Sequence, residues 1–237
     1  MTEKTLVISD LSAGYGHNRV LHGVAMSVAP GTIVGMIGPN GAGKTTFLRT
    51  VFGLVPATQG RVAFQGEDVA ALSVRQRLER GIVYVPQERN VFPNLSVAEN
   101  LELAVTSLSI GDVEYRNRRD FVLSLFPRLA ERSSQLAGSM SGGEQRMVAI
   151  GIGLMANPRL LMLDEPTTGL APYMVHQLMD AIQKMNAERG TTTIVVEQNI
   201  LSLVKVAGAI ELMRGGVLRR YSGDPKDILN SNVWEYL

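Results

Sequence analysis

Cysteine is missing from this chain of 237 residues. Its absence removes disulfides, thiolate metal sites and thiol nucleophiles, and sits comfortably with a reducing cytoplasm. An excess of charge of one sign is missing too: 23 lysines and arginines face 22 aspartates and glutamates, for a formal net charge of +1. That balance leaves no electrostatic footprint for wrapping DNA or RNA, so no nucleic-acid partner is expected. Apolar stretches such as residues 33–37 and 160–163 fall far short of the ~18 residues a membrane-crossing helix needs. Residues 1–10 are charged and lack an apolar core followed by a small-residue cleavage site, so they do not read as a secretory signal. No internal repeat or low-complexity tract interrupts the chain.

With 45% hydrophobic and 19% charged side chains, the chain can bury the core of one large or two small globular domains. Its 11 methionines point either to core packing or to extra apolar surface for a partner.

Leu6 and Ile8, then Val24, Met26 and Val28, alternate at period two as half-buried strands do, which makes the start a small β region. Residues 32–37 form a short apolar run ending in glycine, the pattern of a strand buried on both faces of a parallel sheet. A helix is expected over Lys44–Phe52. Residues 56–60 read as a turn and 61–64 as a strand. Ser73 with Gln76 then opens a short helix that Gly81 closes before a strand at Ile82–Val85. From 87 to about 157 the pattern is helical: Ser96 with Glu99 caps one helix, residues 115–126 form another, and Ser141 with Glu144 caps a third. A strand at 160–163, a helix from Pro172 to Arg189 ended by Gly190, and a strand at 192–196 imply a parallel crossover. Gly215-Gly216 reads as a two-residue hairpin turn.

Gly38-Pro39-Asn40-Gly41-Ala42-Gly43-Lys44-Thr45 matches the phosphate-loop pattern and falls between a buried strand and a helix, as that motif requires. Glycines let backbone N–H groups turn inward around phosphate oxygens, and the helix N-terminus adds partial positive charge. Lys44 is then placed to meet the β and γ phosphates and Thr45 to ligate magnesium, with Thr46 completing the expected nucleotide contacts. The second element is the apolar strand 160–163 running into Asp164-Glu165, which would emerge beside the loop at the C-terminal edge of the sheet. Asp164 would hold magnesium through water, and Glu165 would orient and deprotonate a water attacking the γ phosphate. ATP and Mg2+ are the cofactors these elements call for.

Ser141-Gly142-Gly143-Glu144-Gln145 is the third element. Alone it makes a capped helix in any protein. Taken in order with the phosphate loop and Asp164-Glu165, it resembles the signature sequence of ATP-binding-cassette ATPases. The resemblance covers nearly the whole chain and implies an α/β fold: a phosphate-loop NTPase parallel-sheet core, an N-terminal antiparallel β subdomain and a helical subdomain. One domain over 1–237 is expected, with about 88–157 as the helical part. It also implies a head-to-tail dimer in which each ATP lies between one subunit's phosphate loop and the other's signature segment, so that Ser141, Gly142 and Gly143 face the partner's γ phosphate. Gln87 matches the family's glutamine loop, which contacts magnesium and the attacking water and communicates with the membrane partner. Tyr15 matches the aromatic that stacks on adenine.

Within that family, Gly169-Leu170-Ala171-Pro172 and Val196-Glu197-Gln198-Asn199 look most like one of the two ATPase subunits of branched-chain amino-acid importers. Ala171 stands where many cassettes have aspartate, and Gln198 where most have a histidine reaching the γ phosphate, so the Gln198 amide is expected to donate a hydrogen bond to that phosphate in the histidine's place. The resemblance thus implies transmembrane permease subunits, a second ATPase subunit that is identical or related, and a place on the cytoplasmic face of the membrane. The alternative is a soluble cassette ATPase acting on nucleic acid or ribosomes, but such proteins carry two cassettes, coiled-coil arms or basic stretches. A small-molecule kinase with the same loop would not need residues 141–145.

Overall fold

The computed structural model describes residues 4–88, 91–108 and 110–231. Residues 1–3, 89, 90, 109 and 232–237 lie outside the described residues, and with them small parts of the expected single domain and of the helical stretch. Strands β1 (Leu6–Tyr15) and β2 (Asn18–Val28) pair antiparallel, and β3 (Ile33–Ile37) leads into helix α1 (Lys44–Phe52). Next come β4 (Ala57–Phe64), β5 (Glu67–Asp68), α2 (Val74–Glu79) and β6 (Ile82–Val85). Helices α3 (Val97–Leu103), α4 (Asp112–Leu125), α5 (Pro127–Glu131) and α6 (Gly142–Met155) follow. The chain finishes through β7 (Leu160–Asp164), α7 (Pro172–Arg189), β8 (Thr192–Glu197), α8 (Ile200–Leu203), β9 (Ala209–Arg214) and β10 (Val217–Arg220).

Two sheets result. The first is antiparallel in the order β2-β1-β4-β5; the second runs β10-β9-β3-β8-β7-β6, parallel except for the terminal hairpin strand β10. The fold is a mixed α/β, phosphate-loop NTPase-like architecture with an N-terminal β subdomain and a helical subdomain.

Buried parallel strands show why their runs are continuously apolar. Leu161, Leu163, Val83, Val85 and Val195 pack into one cluster with α3, α4, α6 and α7. Leu160, Met162, Ile82, Tyr84, Ile194 and Val196 pack on the opposite face with α1 and the antiparallel sheet. Every methionine among the described residues is buried, so the methionines fill the core, and the extra apolar surface they hinted at is not theirs.

Two boundaries differ from the sequence reading by more than one residue. The turn expected over 56–60 belongs to β4, because Gln59 and Ala57 pair with Ser12 and Ala13 of β1 across register shifts. The side chains from Ala57 to Arg61 are all exposed, so no alternation marks the strand. Helix α4 starts at Asp112 instead of 115, its first turn stabilised by Asp112 and Glu114 next to the positive end of the helix dipole.

Candidate active site

The side chains of the loop cleft hang from one edge of the parallel sheet, where β3, β8, β7 and β6 end next to each other in that order. After β3 the chain turns through the glycine loop into α1. Gly43, the N-cap of α1, has φ 109°, a conformation open to glycine and costly to other residues. A cleft of about 520 Å3 is lined by Asn40, Gly41, Ala42, Gly43, Lys44, Thr45 and Thr46 from this loop and by Gln87, Glu165 and Gln198 from the ends of three strands. Val20 of β2 closes one side.

Lys44 is almost fully buried and curls back over its own loop, donating to the carbonyls of Gly38 (2.7 Å) and Pro39 (2.9 Å). Its Nζ lies 3.9 Å from Glu165 Oε1. Burial draws the ammonium below the usual lysine range, while Glu165, Asp164 and Glu197 pull it back up. Thr45 Oγ1 donates to Asp164 Oδ1 at 3.2 Å, and Tyr84 Oη donates to Asp164 Oδ2 at 2.9 Å. Burial pushes the Asp164 carboxyl upward against these two hydrogen bonds. The hydroxyl and carboxylate oxygens are hard donors of the kind magnesium takes, and a phosphate-bound magnesium needs only one or two of them from the protein.

Glu165 is the centre of the arrangement. It has φ 43°, a left-handed backbone that costs a non-glycine residue roughly 1–2 kcal/mol. Its N–H donates to Val196 O at 2.9 Å, which fixes the turn against β8. Gln198 Nε2 donates to both carboxylate oxygens at 2.7 Å, Gln87 Nε2 to Oε2 at 3.0 Å, and Thr168 Oγ1 to Oε2 at 3.3 Å. Two amides, a hydroxyl and an ammonium thus aim at one buried carboxylate and hold it at a fixed place, as a positioned base requires.

Gln198 is therefore committed to Glu165 in this arrangement and would have to turn to reach a phosphate. Gln198→Ala, which removes a hydrogen bond worth about 1.5–3 kcal/mol, is expected to lower turnover roughly tenfold to a hundredfold. Gln198→His should be far milder, since imidazole can donate in the same direction. Steady-state hydrolysis in the assembled complex checks both, and parental turnover in the alanine variant would deprive the amide of a part in the reaction.

Tyr15 ends β1 with its ring half exposed, and it does not line the loop cleft; its hydroxyl lies beside Arg49 of α1. Ser141 is the N-cap of α6, in a reciprocal box with Glu144: Ser141 Oγ accepts from Glu144 N at 3.4 Å, and Glu144 Oε2 accepts from Ser141 N at 3.0 Å. Ser141 and Gly142 are exposed outside the loop cleft; Gly142 lines a separate one with Gln87, Arg146 and Thr168. Gly143 faces α7 so closely that a Cβ would lie 2.4 Å from Met174 Sδ, so the bare backbone there is a packing requirement as well. Ala171 is the N-cap of α7 and offers no side-chain cap.

Three residues here escaped the sequence reading. Tyr84 holds Asp164, and its signal was a tyrosine inside an otherwise aliphatic strand. Glu197 is buried, with Oε1 accepting from Thr167 N at 2.9 Å, and burial pushes its carboxyl up to about 7. Arg146 spans the site's loops from α6; its signal was a cation opening the apolar run of a buried helix.

A glycine loop between a buried strand and a helix, with Asp164 and Glu165 beside it, defines a phosphate-loop nucleotide hydrolase. The comparisons narrow that class. The family model described as ABC transporter matches residues 21–168. The chain is 42% identical over 211 residues to the high-affinity branched-chain amino acid transport ATP-binding protein BraG of Pseudomonas aeruginosa, covering 89% of each. It is 34% identical to the lipopolysaccharide export system ATP-binding protein LptB of Escherichia coli, covering 95% of this chain and 92% of the other. A crystal structure of an ATP-binding cassette in its ADP conformation superposes with a TM-score of 0.86 at 26% identity, covering 98% of this chain and 96% of the other. The chain belongs to the ABC transporter ATPase family. It is an ATP-binding and ATP-hydrolysing subunit, of a kind that works with a partner ATPase and membrane permease subunits.

Proposed function

We propose that this chain is one ATPase subunit of an importer that carries branched-chain amino acids or a related small polar solute, bound peripherally to the permease on the cytoplasmic side. The observation that carries this reading is the 42% identity to BraG over nearly the full chain, against 34% to the lipopolysaccharide-export ATPase. Among the described residues no helix is long and apolar enough to cross a membrane, so the path for solute belongs to other chains. Nothing supports the alternative of a cassette acting on nucleic acid or ribosomes.

Lys44, the loop amides and Thr46 bind the phosphates. Thr45, Asp164 and Gln87 hold magnesium, which supplies charge neutralisation at the β and γ phosphates. Glu165 takes the proton of the attacking water, with Gln87 and Gln198 orienting it. Tyr15 offers its exposed ring to adenine. Ser141, Gly142 and Gly143 close the site of a second subunit head to tail: Ser141 and Gly142 are exposed at the N-terminus of a 14-residue helix, outside their own loop cleft.

Ser141→Arg is expected to leave folding and loop-side ATP binding intact while blocking the closed dimer, since a bulky cation fills the space of the partner's phosphate. Size exclusion with ATP in a Glu165→Gln background should then show monomer, and a persisting ATP-dependent dimer would reduce the signature segment to a capped helix. The transport reading itself is tested by purifying the tagged chain from solubilised membranes. Copurification of permease subunits is expected, and nucleic acid or ribosomal protein in their place would overturn it.

A further inference from the structure

Arg146, five residues after Ser141 in the second turn of α6, reaches out of its own helix. Its Nη1 donates to the carbonyls of Pro86 at 2.5 Å and Gln87 at 3.1 Å, its Nη2 to Asp164 at 2.8 Å, and its Nε to Pro166 at 3.4 Å. Pro86 and Gln87 are the first residues after β6, and Asp164 and Pro166 bracket Glu165 after β7. One guanidinium therefore fastens the glutamine turn and the Glu165 turn to the start of the signature helix.

The residue type is informative. Burial works against this charge, and Asp164 and Glu197 favour it. Arg146 is half-buried, and a cation drawn partly out of water costs free energy unless its donors are satisfied. What only arginine supplies is a rigid planar fork that can hold carbonyls from two separate loops at fixed angles.

We propose that Arg146 is a positioning residue for ATP hydrolysis, holding Gln87 and Glu165 in register with the signature surface of α6. This rests on the roles given above to Glu165 and Ser141. It ties the carboxylate that serves the subunit's own ATP to the surface presented to its partner's ATP. The phosphate loop, Lys44 and Thr45 receive none of the four hydrogen bonds, so the direct phosphate contacts do not depend on them. The placement of Glu165 does, and a misplacement of about 1 Å can cost a hundredfold in rate.

The test is ATP hydrolysis by Arg146→Met and Arg146→Lys in the assembled complex, with melting temperatures measured alongside. Arg146→Met should lower kcat roughly a hundredfold and leave the KM for ATP within about twofold. Arg146→Lys should fall between Met and the parent, because an ammonium reaches some but not all of the four carbonyls. A folded Arg146→Met or Arg146→Lys variant with parental kcat overturns the proposal, as does a rise in KM with kcat unchanged. Failure of both variants to fold also overturns it, because the residue then serves the fold alone. Glu165→Gln is run in parallel. Parental turnover in that variant removes the reading on which the proposal rests, whereas slow Glu165→Gln beside a fully active Arg146→Met removes only the proposal.

Discussion

Glu165→Gln will bind ATP as the parent does and hydrolyse it roughly a hundredfold or more slowly, the scale at which a positioned general base contributes. The carboxylate is the acceptor for Gln198, Gln87 and Thr168, and Lys44 stands 3.9 Å from it. Replacing one oxygen with an NH2 removes the group that takes a proton and sets two amide donors against each other. Neither change touches the loop amides, so binding survives. Nucleotide titration and phosphate release on the same preparation separate the two effects; hydrolysis at the parental rate would remove Glu165 from its role.

Lys44→Ala will abolish productive ATP binding. The ammonium is the side-chain cation that the loop contributes to the cleft lining, and its bonds to Gly38 O and Pro39 O also brace the loop. The alanine variant loses the charge that meets the β and γ phosphates and the brace that shapes the cradle, each a charge-assisted contact worth about 1.5–3 kcal/mol. An affinity loss of roughly a hundredfold or more is expected by calorimetry, with the fold checked by melting. Unchanged affinity and turnover would refute the assignment.

What the sequence could and could not disclose follows from distance along the chain. The glycine loop, Asp164-Glu165 and the capped signature are each written in consecutive residues, because strand-turn-helix geometry confines the chemistry to a few positions. The burial of β3 and β7 was legible as unbroken apolar runs. Tyr84 and Asp164 are 80 residues apart, and Arg146 and Pro86 60; no local pattern encodes such contacts. The first half of β4 was hidden for a different reason: its side chains are exposed, and it is a strand only because β1 pairs with it. The methionine count left core and docking surface open because a flexible thioether fills the one as readily as it covers the other.

In the function proposed for this chain, ATP hydrolysis at Glu165 powers import of a branched-chain amino acid or a related small polar solute. It is tested most directly by phosphate release from the chain assembled with its permease in proteoliposomes, with and without leucine-loaded solute-binding protein. The account predicts turnover that rises with the loaded binding protein and disappears in Glu165→Gln. Turnover unaffected by Glu165→Gln would contradict hydrolysis at Glu165, and turnover indifferent to leucine, isoleucine and valine would contradict branched-chain amino acids as the solute.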